Sequence, residues 1–219
     1  MPASRRNPLL VDLYERFLAD QDSDALTREI TARYAVSTLE RLAATGSRVA
    51  RRAAVLALGL LGDYESNSVL GNALVDHDRG VRTMAESSIR KVWYRVGNAA
   101  DRQALESVSR LNHLKQSGEA IRKATRLIHG SPWLAEAWYQ RGIGYLRVDD
   151  YETAIQDFRQ ALEINPYHFD AATNMGQCLV KQGNLVAALQ VFRRALRLNP
   201  GLEDVRAHVI YLQRSLNEE

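Results

Sequence analysis

AEAWYQRGIGYLRVDDYETAIQDFRQALEINP, residues 135–166, decides the fold, because a set of its small, aromatic and proline positions returns one period later. Gly142 recurs as Gly176, Ala154 as Ala188 and Phe158 as Phe192. Ala161 recurs as Ala195, and Asn165-Pro166 as Asn199-Pro200, so the offset is 176 − 142 = 34 residues throughout. A fixed period of that length marks a stack of helical pairs, in which each unit buries its apolar face only against its neighbours.

Each recurring residue has a mechanical role. Gly142 and Ala154 are small and let two helices approach closely. Trp138, Tyr145 and Phe158 fill the space between them. Asp150 can cap the second helix of the pair through its carboxylate. Asn165-Pro166 ends it, because the residue before proline is pushed out of the helical region. A third, degenerate copy runs from about Asp101, with Ala120 and Pro132 one period before Ala154 and Pro166. In that copy Val108, Ala124 and Leu127 replace the glycine, phenylalanine and alanine.

With Trp138, Gly142, Tyr145, Ala154, Phe158, Ala161 and Pro166 on the signature positions, residues 135–166 resemble a tetratricopeptide repeat (TPR). Arg141 departs from the pattern, which usually carries leucine there, and Ala172 stands where the second copy would repeat Trp138. The middle of the N-terminal half shows a second pattern. ARRAAVLALGLLGD, residues 50–63, aligns with VRTMAESSI, residues 81–89, placing Arg51 over Arg82. These stretches resemble HEAT-like repeats of the short bacterial kind, over residues 31–95.

The expectation is therefore an all-α superhelix: N-terminal capping helices over 1–30, HEAT-like pairs over 31–95, three TPR pairs over 101–200 and a C-terminal capping helix over 201–219. Asn7-Pro8 can start the first helix, and a second is expected from about Ala25 to Ala44, ending at Gly46, with room for a break. VGNAA, residues 96–100, reads as a short linker.

The TPR resemblance implies that the first helix of each pair lines a concave face. The inward-facing residues would be Arg102, Leu105, Ser109 and Asn112 in the first pair and Glu136, Tyr139, Ile143, Leu146 and Arg147 in the second. The third pair would add Asp170, Thr173, Gln177, Val180 and Lys181. This mixed floor of apolar groups and charges of both signs suits a peptide or helix of another protein. Chaperone-binding TPR domains clamp a terminal carboxylate with lysine, asparagine and arginine at set positions. Leu105, Ser109 and Asp170 occupy three of those positions, so that activity does not carry over.

Composition narrows the alternatives. The chain of 219 residues carries a formal charge of only +3, split evenly: 14 basic and 12 acidic residues through Ala100, then 15 and 14. Nothing in that balance makes a nucleic-acid footprint. The HEAT-like arginines, Arg51 and Arg82 among them, are the one alternative site for a polyanion. The competing expectation is that they pair with turn aspartates such as Asp78, since residues 53–100 hold five basic and five acidic side chains. No apolar run reaches the roughly 18–20 residues of a membrane helix, and MPASRRNPLL lacks the apolar stretch of a signal peptide. A cytoplasmic protein is expected, its single cysteine, Cys178, packed inside a helix.

No catalytic constellation emerges, and neither an enzyme nor a cofactor site is expected. The histidines lack metal-ligand spacing. Asp76-His77-Asp78 reads as a helix-capping turn. HEAT-like iron hydroxylases use His-Glu pairs, which this chain lacks. Gly142-Ile143-Gly144 has neither the preceding strand nor the third glycine of a nucleotide loop.

Overall fold

The computed structural model describes residues 9–217. These fold into thirteen α-helices and one 3-10 turn at Tyr64–Ser66, with no strand among the described residues. The chain divides into two compact units, 1–92 and 93–219. The proposed cap at Asn7-Pro8 lies outside the described residues.

In the first unit, α1 (Leu9–Asp20) packs on α2 (Ser23–Arg33), and both pack on α4 (Arg48–Leu61). The expected long second helix is two helices. It breaks at Tyr34 and Ala35, both extended, and resumes as α3 (Val36–Thr45), capped by Gly46. Tyr34 has a local reason to leave the helix: its hydroxyl accepts the Leu10 backbone N–H at 2.8 Å, closing the start of α1. α3 and α4 form a hairpin, and α5 (Asn67–Ala73) packs on both. α6 (Arg79–Arg95) crosses α4 where a Cβ added to Gly59 would lie 2.3 Å from the Ser88 hydroxyl, so only glycine fits.

The turn before α6 is tied down by arginines. Arg51 grips Asp76 with two bonds, at 2.7 and 2.9 Å, and Arg52 grips Asp78 at 2.6 and 2.8 Å. Arg82 donates to the Asp76 carbonyl oxygen at 2.8 Å. Asp78 also accepts the Val81 N–H at 3.0 Å, which caps α6. Arg51 pairs with a turn aspartate as expected, though with Asp76; Arg52 takes Asp78, and Arg82 reaches the backbone oxygens of Asp76 and His77 instead of a carboxylate.

The second unit is a run of helices that pack in chain order: α7 (Ala99–His113), α8 (Ser117–Gly130), α9 (Ala135–Arg147), α10 (Tyr151–Ile164), α11 (Phe169–Lys181), α12 (Leu185–Leu198) and α13 (Glu203–Ser215). Starts at 135, 169 and 203 and at 117, 151 and 185 keep the 34-residue step. Within each pair the turn is the same object three times. Lys115, Asp149 and Gly183 all have positive φ, at 60°, 61° and 75°. The following N–H reaches back to Leu111, Tyr145 or Leu179, and the left-handed residue's own N–H to Asn112, Leu146 or Val180. That is the Schellman closure of a helix C-terminus.

At the helix crossings, a Cβ on Gly142 would lie 2.7 Å from the Phe158 ring and one on Gly176 2.5 Å from the Phe192 ring. The signature glycine and phenylalanine are thus the two halves of one contact. In the degenerate pair the volumes are exchanged: Val108 replaces the glycine and Ala124 the ring, and both are fully buried. Gly144 faces the other way, against Ile121 of the preceding pair. Arg141, the departure from the pattern, sits between Trp138 and Asp157. It makes two bonds to the Asp157 carboxylate at 2.8 Å, and its guanidinium lies 4.9 Å from the Trp138 ring centre. Burial pushes the Asp157 carboxyl above the ordinary range while Arg141 pulls it down.

Candidate functional site

The face lined by the first helices of the second unit (α7, α9, α11 and α13) divides into a closed end and an open end. The closed end is filled by the chain itself. Trp93 and Tyr94, the last turn of α6, lie within the second unit. The Trp93 ring stacks on His168 with centroids 4.2 Å apart and leans on Phe169 at 5.2 Å, leaving 3% of the residue exposed. Val96, in the expected linker, packs with Tyr94 against the cluster of Leu105, Leu127, Ile128, Leu134 and Ala137. The linker is therefore a structured joint. Gly97 takes a positive φ of 91°, and Asn98 and Asp101 form a reciprocal capping box that starts α7.

Beneath Trp93 runs a buried polar chain. Gln140 Nε2 donates to the Tyr94 hydroxyl at 2.7 Å and to Glu136 Oε1 at 2.9 Å. Asn112 Nδ2 donates to the Gln140 side-chain oxygen at 2.8 Å. The other Glu136 oxygen, Oε2, stands 3.1 Å from His168 Nε2. His168 Nδ1 accepts the Ala171 backbone N–H at 3.2 Å, so the ring carries its proton on Nε2 and donates it to Glu136. Burial, and then the Glu136 charge, push the Tyr94 hydroxyl well above its ordinary range.

This arrangement sorts the sequence-derived candidates. Leu105, Asn112 and Glu136 are buried. Ser109 meets the Tyr94 hydroxyl at 3.3 Å, and Arg102 donates to the Gly97 carbonyl oxygen at 2.7 Å. Tyr139 lies against His168 and Phe158, with ring centres 4.7 and 5.9 Å away, and accepts a bond from Asn174. Asp170 is half-buried, and Thr173 bonds to the Phe169 carbonyl oxygen at 2.9 Å. At the other end Ile143, Leu146 and Val180 are half-buried on the core of α9–α13, and Arg147, Gln177 and Lys181 are exposed.

The open end continues onto α13. A cleft of about 480 Å³ is bounded by Val180, Leu185, Ala207, His208, Tyr211 and Leu212. Tyr211 is 67% exposed. The residues on α13 were missed by reading the last helix only as a cap. The period itself finds them: Tyr139, Thr173 and Ala207 share one register, as do Ile143, Gln177 and Tyr211. The core residue Cys178 is fully buried and its thiol is pushed up to about 11 by burial, so it offers no nucleophile to this face.

Residues 145–209 match the tetratricopeptide repeat family model. The TPR match covers the last turn of α9 through the middle of α13 and lies wholly within the second unit. No curated protein matches the sequence. Among solved structures, the first TPR of Spaghetti (RPAP3), bound to an HSP90 peptide, is 19% identical with a TM-score of 0.52, covering 53% of this chain and 93% of that one. That likeness shows a TPR-like fold. A MamA mutant aligns at 18% identity and a TM-score of 0.47, over 70% of this chain and 89% of that one. A second MamA structure aligns at 19% and 0.47, over 69% and 87%. No helix among the described residues is long and apolar enough to cross a membrane.

Proposed function

We propose that the chain is a protein–protein interaction scaffold that binds a peptide or helix of another protein along the first-helix face of its TPR pairs. The observation that carries this reading is the open end. An apolar cleft of about 480 Å³ lies beside a tyrosine left 67% exposed, on a face whose other end is filled by Trp93 and Tyr94. Exposed aromatic side chains beside a desolvated pocket supply much of the binding energy in protein interfaces. The face that contacts the partner is Ile143, Leu146, Arg147, Gln177, Val180 and Lys181, extended by Ala207, His208 and Tyr211. Arg102, Leu105, Ser109, Asn112, Glu136, Tyr139, Asp170 and Thr173 shape it from beneath or beside. Residues 31–95, read as HEAT-like pairs, then serve as a second scaffold segment. Arg51, Arg52 and Arg82 are occupied within the chain, which weighs against a polyanion ridge there.

The test is selection of a displayed random-peptide library on the whole chain. Recovered peptides are expected to lose binding to Tyr211→Ser, which should melt close to the parent, and to Val180→Asp, which should melt somewhat lower because Val180 is half-buried on the core. Peptides that bind both variants undiminished would place the interaction surface elsewhere.

A further inference from the structure

The open end carries an unbalanced charge. Arg147, Lys181 and Arg214 stand in the last turns of α9, α11 and α13, and all three are exposed. Arg147 and Lys181 share one register (181 − 147 = 34), and Arg214 shares that of Val180 (214 − 180 = 34), one position away. None of the three has a carboxylate partner among the described residues. Other arginines of the second unit are engaged: Arg141 is held by the Asp157 carboxylate between the helices, and Arg102 by the Gly97 carbonyl oxygen. The acids nearest Arg147 in sequence, Asp149 and Asp150, are engaged by the Tyr151 hydroxyl and the Thr153 N–H, and those nearest Arg214, Glu218 and Glu219, lie outside the described residues. Cations in a last turn complement the helix dipole, but that role needs no apolar cleft beside them.

We propose that the partner is an acidic segment that seats one large apolar side chain in the cleft of Val180, Leu185, Tyr211 and Leu212 and lays its carboxylates along Arg147, Lys181 and Arg214. This rests on the interaction-scaffold reading above and adds the chemistry of the partner. The cleft sets where the anchor goes, and the cations set the sign of what flanks it. Exposed charge pairs add little individually, so the row acts mainly on selectivity and association rate. The carboxylates are side chains along the segment; no terminal carboxylate is required.

The probes are three fluorescent peptides with acetylated and amidated ends: glutamates around a central phenylalanine, lysines around the same phenylalanine, and glutamates around a serine. Binding to the whole chain is read by fluorescence anisotropy. The acidic phenylalanine peptide is expected to bind about tenfold tighter than the lysine peptide at low salt. That margin should shrink as salt is raised, and the serine peptide should bind weakest. In Lys181→Glu with Arg214→Glu, checked for an unchanged melting temperature, the preference should reverse. Equal affinity for the acidic and basic peptides, or a preference untouched by the charge reversal, would overturn the proposal. The scaffold reading fails separately, if library peptides ignore Val180→Asp and Tyr211→Ser.

Discussion

Three single residues carry the geometry of the repeat turns. Gly183 has φ of 75° and nothing within 4 Å of a Cβ placed on it, so Gly183→Ala changes only the backbone cost. A left-handed L-residue costs about 1 kcal/mol, and the midpoint of urea unfolding should fall accordingly. Lys115 takes the same conformation in the degenerate pair at φ of 60°. Lys115→Gly should therefore raise stability by about 0.5 kcal/mol, since relief of strain is partly offset by a freer unfolded chain. Arg141 belongs to the same scale. Arg141→Leu restores the residue usual in TPR sequences yet leaves the buried Asp157 carboxylate alone, and should cost about 3 kcal/mol. Arg141→Leu with Asp157→Leu should recover most of that loss. A double variant as unstable as the single one would show that the pair is not what Arg141 supplies. Tyr139 is held on three sides, so Tyr139→Ala lowers stability as well as shaping the face.

Helices and their crossings were legible where one residue dictates one contact. Gly142 with Phe158 and Gly176 with Phe192 follow from period and size, and Gly176→Ala should cost about 1–3 kcal/mol by forcing the Phe192 ring aside. The degenerate pair was legible by phase alone, because Val108 and Ala124 keep the summed volume of the crossing while erasing its signature. A break in the second helix was allowed for, but its place at Tyr34, and the burial of Trp93, were not legible. Both depend on side chains meeting partners far along the sequence, Leu10 in one case and His168 in the other, and no local pattern encodes such pairings. The filled end of the face follows from the same long-range contact, which is why eight of the fourteen candidate residues from sequence lie there or beneath it. In the first unit, the turn between α5 and α6 gives a pH dependence. Its bonds to Arg52, chiefly, hold the Asp78 carboxyl at about 2, and Arg51 likewise lowers Asp76. A carboxyl lowered on folding contributes stability above its ordinary value of 3.8 and loses that contribution as pH falls through about 2. Amide exchange in α4 should therefore accelerate across that window, and Asp78→Asn should flatten the response.

Within the second unit the two ends of the first-helix face differ. Trp93 and Tyr94 close one end of the first-helix face over a buried polar chain, and α13 prolongs the other end into a cleft. The 34-residue step carries the face onto α13, which in the proposed function is a partner surface as well as a cover for the core. Ile210 stands where Gly142 and Gly176 stood and is 46% exposed. The most direct test of the central claim is backbone amide NMR of the whole chain titrated with a library-selected peptide. The account expects the largest shift changes at Ile143, Gln177, Val180, Ala207 and Tyr211, with Trp93, Glu136 and His168 little moved. Changes centred on Trp93 and His168, or on Arg51 and Arg82, with α13 silent, would contradict it.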